Sequence, residues 1–195
     1  VDKNVLIPRP ESELLIDIIL KKVDKDKNLK ILDVGTGSGI LSIILSNYYK
    51  NSEIEAIDKS GKAIKIAKIN SKMHKIDREK IFFKKKDLFK YKPKKMFDII
   101  ISNPPYIETT VVKELLDNKT ISDPAISLDG GKDGVIFYRE LKVFCDKYLK
   151  NNGFIIFEHG IGQREKILSF FSDKYELEYF EDYSNIDRII VANKK

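Results

Sequence analysis

Cysteine and histidine are almost missing from this chain, and each scarcity removes a class of chemistry. A single cysteine, Cys145, excludes an intramolecular disulfide and fits a reducing compartment. Its place in a helix-like apolar stripe marks it as a core residue. Two histidines, His74 and His159, leave no ligand set for zinc, so no metal is expected. Arginine is scarce as well: Arg9, Arg78, Arg139, Arg164 and Arg188 are the only ones, so lysine supplies most of the basic charge behind the net +6. Lysine is a compact point charge without the fork that reads phosphates and bases. The basic balance is therefore read as solvation, and nucleic acid is not expected as the direct substrate. No run approaches the ~18 consecutive apolar residues of a membrane span, and no charged-then-apolar signal opens the chain. A soluble, cytoplasmic monomer with no membrane partner is the expectation. Neither internal repeats nor low-complexity segments occur.

What is present is enough apolar material, 42% of 195 residues, for one well-buried domain over residues 1–195. Arg9-Pro10-Glu11 opens a predicted helix to about Lys22, with Leu14, Leu15, Ile18 and Ile19 on one face and charges that complement the helix dipole. Strands are predicted at Lys30 to Val34, Glu53 to Ile57, Ile81 to Lys85, Phe97 to Ser102, Phe154 to Phe157, Tyr175 to Phe180 and Arg188 to Ala192. Helices are predicted between them at Ile40 to Tyr49, Ser60 to Met73, Val111 to Leu116, Val135 to Lys150 and Gln163 to Phe171. Asn152-Gly153 is expected to end the Val135 helix. The alternation predicts an α/β fold, a mostly parallel seven-stranded sheet with an antiparallel edge strand and helices on both faces. The long segment Ser122 to Gly134 has the length of a lid or binding loop.

Two stretches carry chemistry. Asn103-Pro104-Pro105-Tyr106 follows an apolar strand directly. Neither proline has an N–H, both fix φ, and Pro104 drives Asn103 out of the helical region, so the turn is stiff and rich in acceptors. A planar NH2 group fits it, donating to the Asn103 side-chain oxygen and the Pro104 carbonyl with the Tyr106 ring over its face. The second stretch, Gly35-Thr36-Gly37-Ser38-Gly39, lies between a strand and a helix and lets backbone approach a ligand. Its glycines alternate as Gly-x-Gly-x-Gly rather than in the Gly-x-Gly-x-x-Gly spacing of dinucleotide sites. Asp58 ends the next strand, placed to accept ribose hydroxyls, and Asp87 ends the one after.

Together these residues resemble the class I, Rossmann-like methyltransferases that use S-adenosylmethionine to modify planar NH2 groups. Leu6-Ile7-Pro8-Arg9-Pro10-Glu11-Ser12-Glu13, Gly130-Gly131-Lys132-Asp133-Gly134 and Glu158-His159-Gly160 narrow the resemblance to the HemK-like glutamine N5-methyltransferases of peptide-chain release factors. The resemblance implies that Gly35, Thr36, Gly37, Ser38 and Gly39 line the cofactor, that Asp58 holds its ribose, and that Asp87 and Leu88 flank its adenine. It also implies that Asn103, Pro104, Pro105 and Tyr106 grip the glutamine of a Gly-Gly-Gln loop, with Asn103, Pro104 and Tyr106 at the reacting centre and Asn103 also touching the cofactor. Arg9 and Glu11 would shape the substrate wall, and S-adenosylhomocysteine would be the product. His159 is read as a structural residue. The chain departs from the family at Ser122-Asp123-Pro124, where an aromatic-Glu-Pro segment is usual, and at Ser12, where threonine is frequent. The small helical N-terminal domain of the family is expected to be absent, since the chain enters its first motif at once from Val1. Alternatives that share the turn chemistry are an exocyclic base amine, adenine N6 or guanine N2, a ribosomal-protein glutamine, or a non-catalytic cofactor-binding subunit.

Overall fold

Ile99, Ile100 and Ile101 stand in a row without a polar break, and all three are buried. Side chains alternate across a strand, so such a run needs apolar cover on both faces of its sheet. The structure, a computed structural model describing residues 1–77, 79–120 and 122–195, provides it. Ile99 and Ile101 in β4 (Phe97–Ser102) face α1 (Pro10–Lys22) and α2 (Ile40–Tyr48). Ile100 faces the opposite layer, built from α5 (Ile136–Tyr148) and α6 (Arg164–Phe171). Each such isoleucine contributes about 1.5–3 kcal/mol by leaving water.

The sheet also contains β1 (Lys30–Val34), β2 (Glu53–Asp58), β3 (Ile81–Lys85), β5 (Leu149–Glu158), β6 (Tyr175–Glu181) and β7 (Asp187–Lys194). Its order is β3-β2-β1-β4-β5-β7-β6. The first five positions are parallel neighbours, and β7 runs antiparallel to both β5 and β6, so the antiparallel strand lies one place in from the edge. The order in which strands are added switches at β1 and β4: β2 and β3 extend the sheet on one side of β1, and β4 onward extends it on the other. Sheets of this kind bind ligands at that point, beyond the carboxyl ends of the strands. The remaining helices are α3 (Gly61–Met73), capped by the Ser60 hydroxyl, which accepts from the Ala63 N–H at 3.2 Å, and α4 (Thr109–Asp117). Among the described residues no helix is long and apolar enough to cross a membrane.

One element differs from the sequence expectation. Helix α5 stops at Tyr148, and Asn152-Gly153 lies inside β5 rather than ending the helix. Asn152 takes φ 62°, and the pairing register with β4 shifts between Phe97 and Ile99. A Cβ on Gly153 would stand 2.7 Å from the Asp98 carbonyl. The dipeptide with the composition of a helix stop therefore serves a strand irregularity, where backbone approaches backbone.

Gly39, the residue before α2, has φ 83°, and a Cβ there would lie 2.9 Å from the Ala67 Cβ of α3. Both the left-handed backbone and the contact between α2 and α3 demand glycine. Gly39→Ala is expected to lower unfolding free energy by roughly 2–4 kcal/mol. Urea denaturation measures this, and an unchanged midpoint and slope would refute the packing role.

Candidate active site

Val34, Ile57, Ser102 and Phe157 stand on a single rung of the sheet: Val34 registers with Ile57 on one side and Ser102 on the other, and Ser102 with Phe157. The next residue in each strand is Gly35, Asp58, Asn103 or Glu158, so the register alone brings these four together at the carboxyl edge. Backbone bonds hold the rung beyond the ladder, since the Gly35 and Thr36 N–H groups both donate to the Ile57 carbonyl, at 2.9 and 3.0 Å. The buried Ser102 hydroxyl ties β4 to β1 by donating to the Val34 carbonyl at 2.9 Å.

Above this edge lies a cavity of about 840 Å3, its open mouth included. Gly35, Gly37, Asp58, Asp87, Leu88, Asn103, Pro104 and Pro105 border it, as the sequence placed them together. Gly35 and Gly37 have φ of 73° and 53°, and no atom stands within 3.4 Å of a Cβ built on either, so the missing side chains leave open space beside the cavity. The Asp58 carboxylate accepts from the Gly37 N–H at 3.0 Å and the Ser60 N–H at 2.7 Å, one bond to each oxygen. Burial raises its pKa against the pull of those two donors. Asp87 caps a short 3-10 turn by accepting from the Phe89 N–H, and lies 3.4 Å from the Lys59 ammonium.

Thr36, Ser38 and Gly39 do not border the cavity; they build the loop from behind. The Thr36 hydroxyl donates to Asp33 Oδ2 at 2.7 Å, Ser42 donates to the same oxygen at 2.6 Å, and the Ser38 carbonyl accepts from Asn70 in α3 at 2.8 Å. Asp33 is fully buried, and its Oδ1 has no hydrogen-bond partner among the described residues. Burial drives its pKa up to about 6, although both hydroxyls hold it down.

Asn103 has a defined orientation. Its Nδ2 donates to Glu158 Oε2 at 2.8 Å and to Ser12 Oγ at 2.9 Å, using both hydrogens. No donor among the described residues reaches its Oδ1. The Tyr106 hydroxyl donates to Glu158 Oε1 at 3.2 Å, and the Tyr106 ring lies against Gly160, where a Cβ would come within 3.0 Å of it. Burial, with the Glu158 carboxylate adding to it, pushes the Tyr106 pKa up to about 12, so the phenol stays neutral.

Arg9 borders a separate hollow between α1 and α2. Its guanidinium pairs with Asp123 at 2.7 Å, and the same carboxylate accepts from the Ile7 N–H at 3.2 Å. This clamp holds the segment Asn4 to Leu6 as one wall of the main cavity, while Ile126 and Ser127 supply another. Gln163 staples three loops: its amide donates to the Tyr106 carbonyl at 2.7 Å and the Gly134 carbonyl at 3.4 Å, and accepts from the Gly160 N–H at 3.1 Å. His159 is buried with Nδ1 2.9 Å from the Gly160 carbonyl, and burial lowers its pKa. Sequence reasoning missed the wall at Asn4 to Leu6, the Asp123 clamp, Gln163 and the part taken by Glu158. For Glu158 a signal existed, because it follows an apolar strand as Asp58 and Asn103 do. Among the described residues no group of three or more His, Cys, Asp and Glu is placed to hold a metal.

A family model described as the methyltransferase small domain matches residues 11–153. A release factor glutamine methyltransferase of Clostridium acetobutylicum is 35% identical over 198 residues, covering 98% of this chain and 68% of that protein. Another, from Thermodesulfovibrio yellowstonii, is 34% identical over 198 residues, covering 100% of this chain and 70% of that protein. Among solved structures, a methyltransferase from Pyrococcus furiosus superposes with a TM-score of 0.73 at 16% identity, over 100% of this chain and 87% of that one, a likeness of fold.

The raised pKa of Asp33 makes stability depend on pH. Its folded value is about 6 against an ordinary 3.8, so the folded state holds the proton longer. Stability is then highest below the ordinary value and falls by about 3 kcal/mol as pH rises through 6. Asp33→Asn keeps an acceptor for Thr36 and Ser42 without the charge. Its urea midpoint is expected to lose that decline between pH 4 and 7, and a slope equal to that of the unaltered protein would count against the assignment.

Proposed function

The chain belongs to the release factor glutamine methyltransferase family and carries the methyltransferase small domain, and on that premise we propose that it methylates the side-chain amide nitrogen, N5, of the glutamine in the Gly-Gly-Gln loop of a peptide-chain release factor. Members of this family take the methyl group from S-adenosylmethionine, which when bound supplies an electrophilic carbon on a sulfonium and is left as S-adenosylhomocysteine. The residues bordering the cavity fit such a group in chemistry. Glycines leave room at Gly35 and Gly37, and each Asp58 oxygen keeps a lone pair beyond its one bond. Asp33 and Asp58 put negative charge at the glycine-loop end of a chain whose net charge is +6. In this reading Asp58 holds the ribose hydroxyls, Leu88 and Asp87 flank the adenine, and Thr36, Ser38 and Gly39 support the loop without touching the cofactor.

The observation that carries the proposal is the spent NH2 of Asn103. With both its hydrogens donated inward, only its carbonyl oxygen is left to meet a ligand. A partner that satisfies an acceptor of this kind beside the Pro104 carbonyl is a group with two N–H bonds in one plane, which a glutamine carboxamide has. Holding that nitrogen at the reacting distance contributes on the order of 7 kcal/mol or more toward the barrier. Positive charge growing on the nitrogen then lies against two acceptor oxygens. An amide protonated on nitrogen is acidic enough to release its proton to water, so neither Tyr106, held neutral, nor the buried His159 serves as a base. Arg9 acts through Asp123 on the wall rather than on the reacting atoms. Release factors work in the cytoplasm, and the same reading places this chain there.

Mass spectrometry of purified release factor, and separately of RNA and DNA, after incubation with the protein and labelled cofactor tests the assignment. Label is expected on the glutamine, and label on a base with none on release factor would replace the proposal by the base-amine alternative. Asn103→Ala is expected to lower kcat by about 100-fold or more with cofactor affinity nearly intact. Asp58→Ala is expected to weaken cofactor binding by roughly 10- to 100-fold. Calorimetry separates the two, and equal loss of affinity in both variants would contradict the division of roles.

A further inference from the structure

A carboxamide is nearly symmetric in shape, so the side chain of Asn103 fits its place either way round and only its neighbours decide which end faces the cavity. An ionised carboxylate accepts hydrogen bonds and donates none. We propose that Glu158 is the positioning residue that fixes this choice, turning the Asn103 oxygen toward the substrate, with Ser12 as the second holder. The inference rests on the methyl-transfer reading for its kinetic consequence and on geometry alone for the orientation.

The geometry is closed on every side. Asn103 Nδ2 lies 2.8 Å from Glu158 Oε2 and 2.9 Å from Ser12 Oγ. Ser12 Oγ donates its own proton to Oε2 at 3.3 Å, so it acts toward Asn103 only as an acceptor. Tyr106 donates to the other oxygen, Oε1, at 3.2 Å, and Tyr138 of α5 holds the Glu158 backbone carbonyl at 3.0 Å. Turning the carboxamide over would set Oδ1 against Oε2 at the same 2.8 Å, two acceptors without a proton between them, and would aim an NH2 at a substrate that also brings an NH2. Ser12 and Glu158 are both buried, so water does not compete for these bonds.

Protonation of Glu158 removes the constraint, because a carboxylic acid can donate to Oδ1. The groups that bear on it are Glu11 of α1, Arg188 of β7, and Tyr106 and Tyr138, with burial the largest influence, raising its pKa. Activity is therefore retained above that raised pKa and lost as pH falls through it, on the high side of an ordinary glutamate.

The test uses the full chain. Glu158→Gln is expected to lower kcat by about 10- to 100-fold with cofactor affinity unchanged, and to abolish the acid limb of the pH profile. Ser12→Ala is expected to lower kcat by a smaller factor and Ser12→Thr, which keeps the hydroxyl, to restore it. Independently of activity, the 15N-labelled side-chain amide of Asn103 should titrate with the acid limb in the unaltered protein and exchange faster with solvent in Glu158→Gln. A Glu158→Gln enzyme with unchanged kcat and unchanged acid limb would overturn the inference, as would an Asn103 amide signal indifferent to pH. Should Glu158→Gln fail to fold, the titration of the unaltered protein and the pair of Ser12 variants decide the matter. A protein that labels no release factor yet shows the titrating Asn103 signal would refute the assigned reaction and leave the orientation by Glu158 standing.

Discussion

Backbone hydrogen bonds between parallel strands form only in register, and in this sheet that register sets four strands level on one shared rung. Because side chains alternate, a slip of one residue in any pairing would send its strand-end group to the opposite face and dissolve the site. The register is held in turn by the core: Ile31, Ile54, Ile99 and Ile156 interlock on one face, and Leu32, Ile57, Ile100 and Ile155 on the other. Site geometry and core packing are thus a single constraint. The positions of Gly35, Asp58, Asn103 and Glu158 follow from that shared register.

Much of this is written locally and can be read from the chain. Unbroken runs such as Ile99 to Ile101 require cover on two faces, and that requirement already implies parallel strands joined by helices. The alternating glycines announce a loop that approaches a ligand, and Asp58 and Asn103 are polar groups directly behind apolar strands. What the chain does not announce is which loop residue does which job. Gly35 and Gly37 open space, whereas Gly39 admits Ala67 of a helix whose approach no local pattern encodes. Thr36 and Ser38 resemble ligand contacts in sequence and are turned inward to serve Asp33 and α3. The clamp between Arg9 and Asp123 joins positions 114 apart, and neither residue's neighbours signal the other. Asn152-Gly153 shows the same limit from the opposite side. Its conformational freedom is legible, but whether that freedom ends a helix or bends a strand depends on Asp98 in another strand.

Buried carboxylates are costly, and this site keeps two where neutral groups would fold more easily. An amide in place of Glu158 would fill the same volume and bond to some of the same neighbours, and an asparagine in place of Asp33 would still receive Thr36 and Ser42. Neither exchange preserves what the charge supplies. At Glu158 the charge makes the group an acceptor only, so every neighbour must present a donor and the Asn103 carboxamide has one permitted orientation. At Asp33 the unpartnered oxygen leaves net negative charge beneath the glycine loop, favourable to a cation bound above it and unfavourable to the empty fold. The same burial that raises both pKa values also makes their fields reach the cavity unscreened by water. On the proposed reaction, stability surrendered at these two positions is returned as orientation at one and affinity at the other.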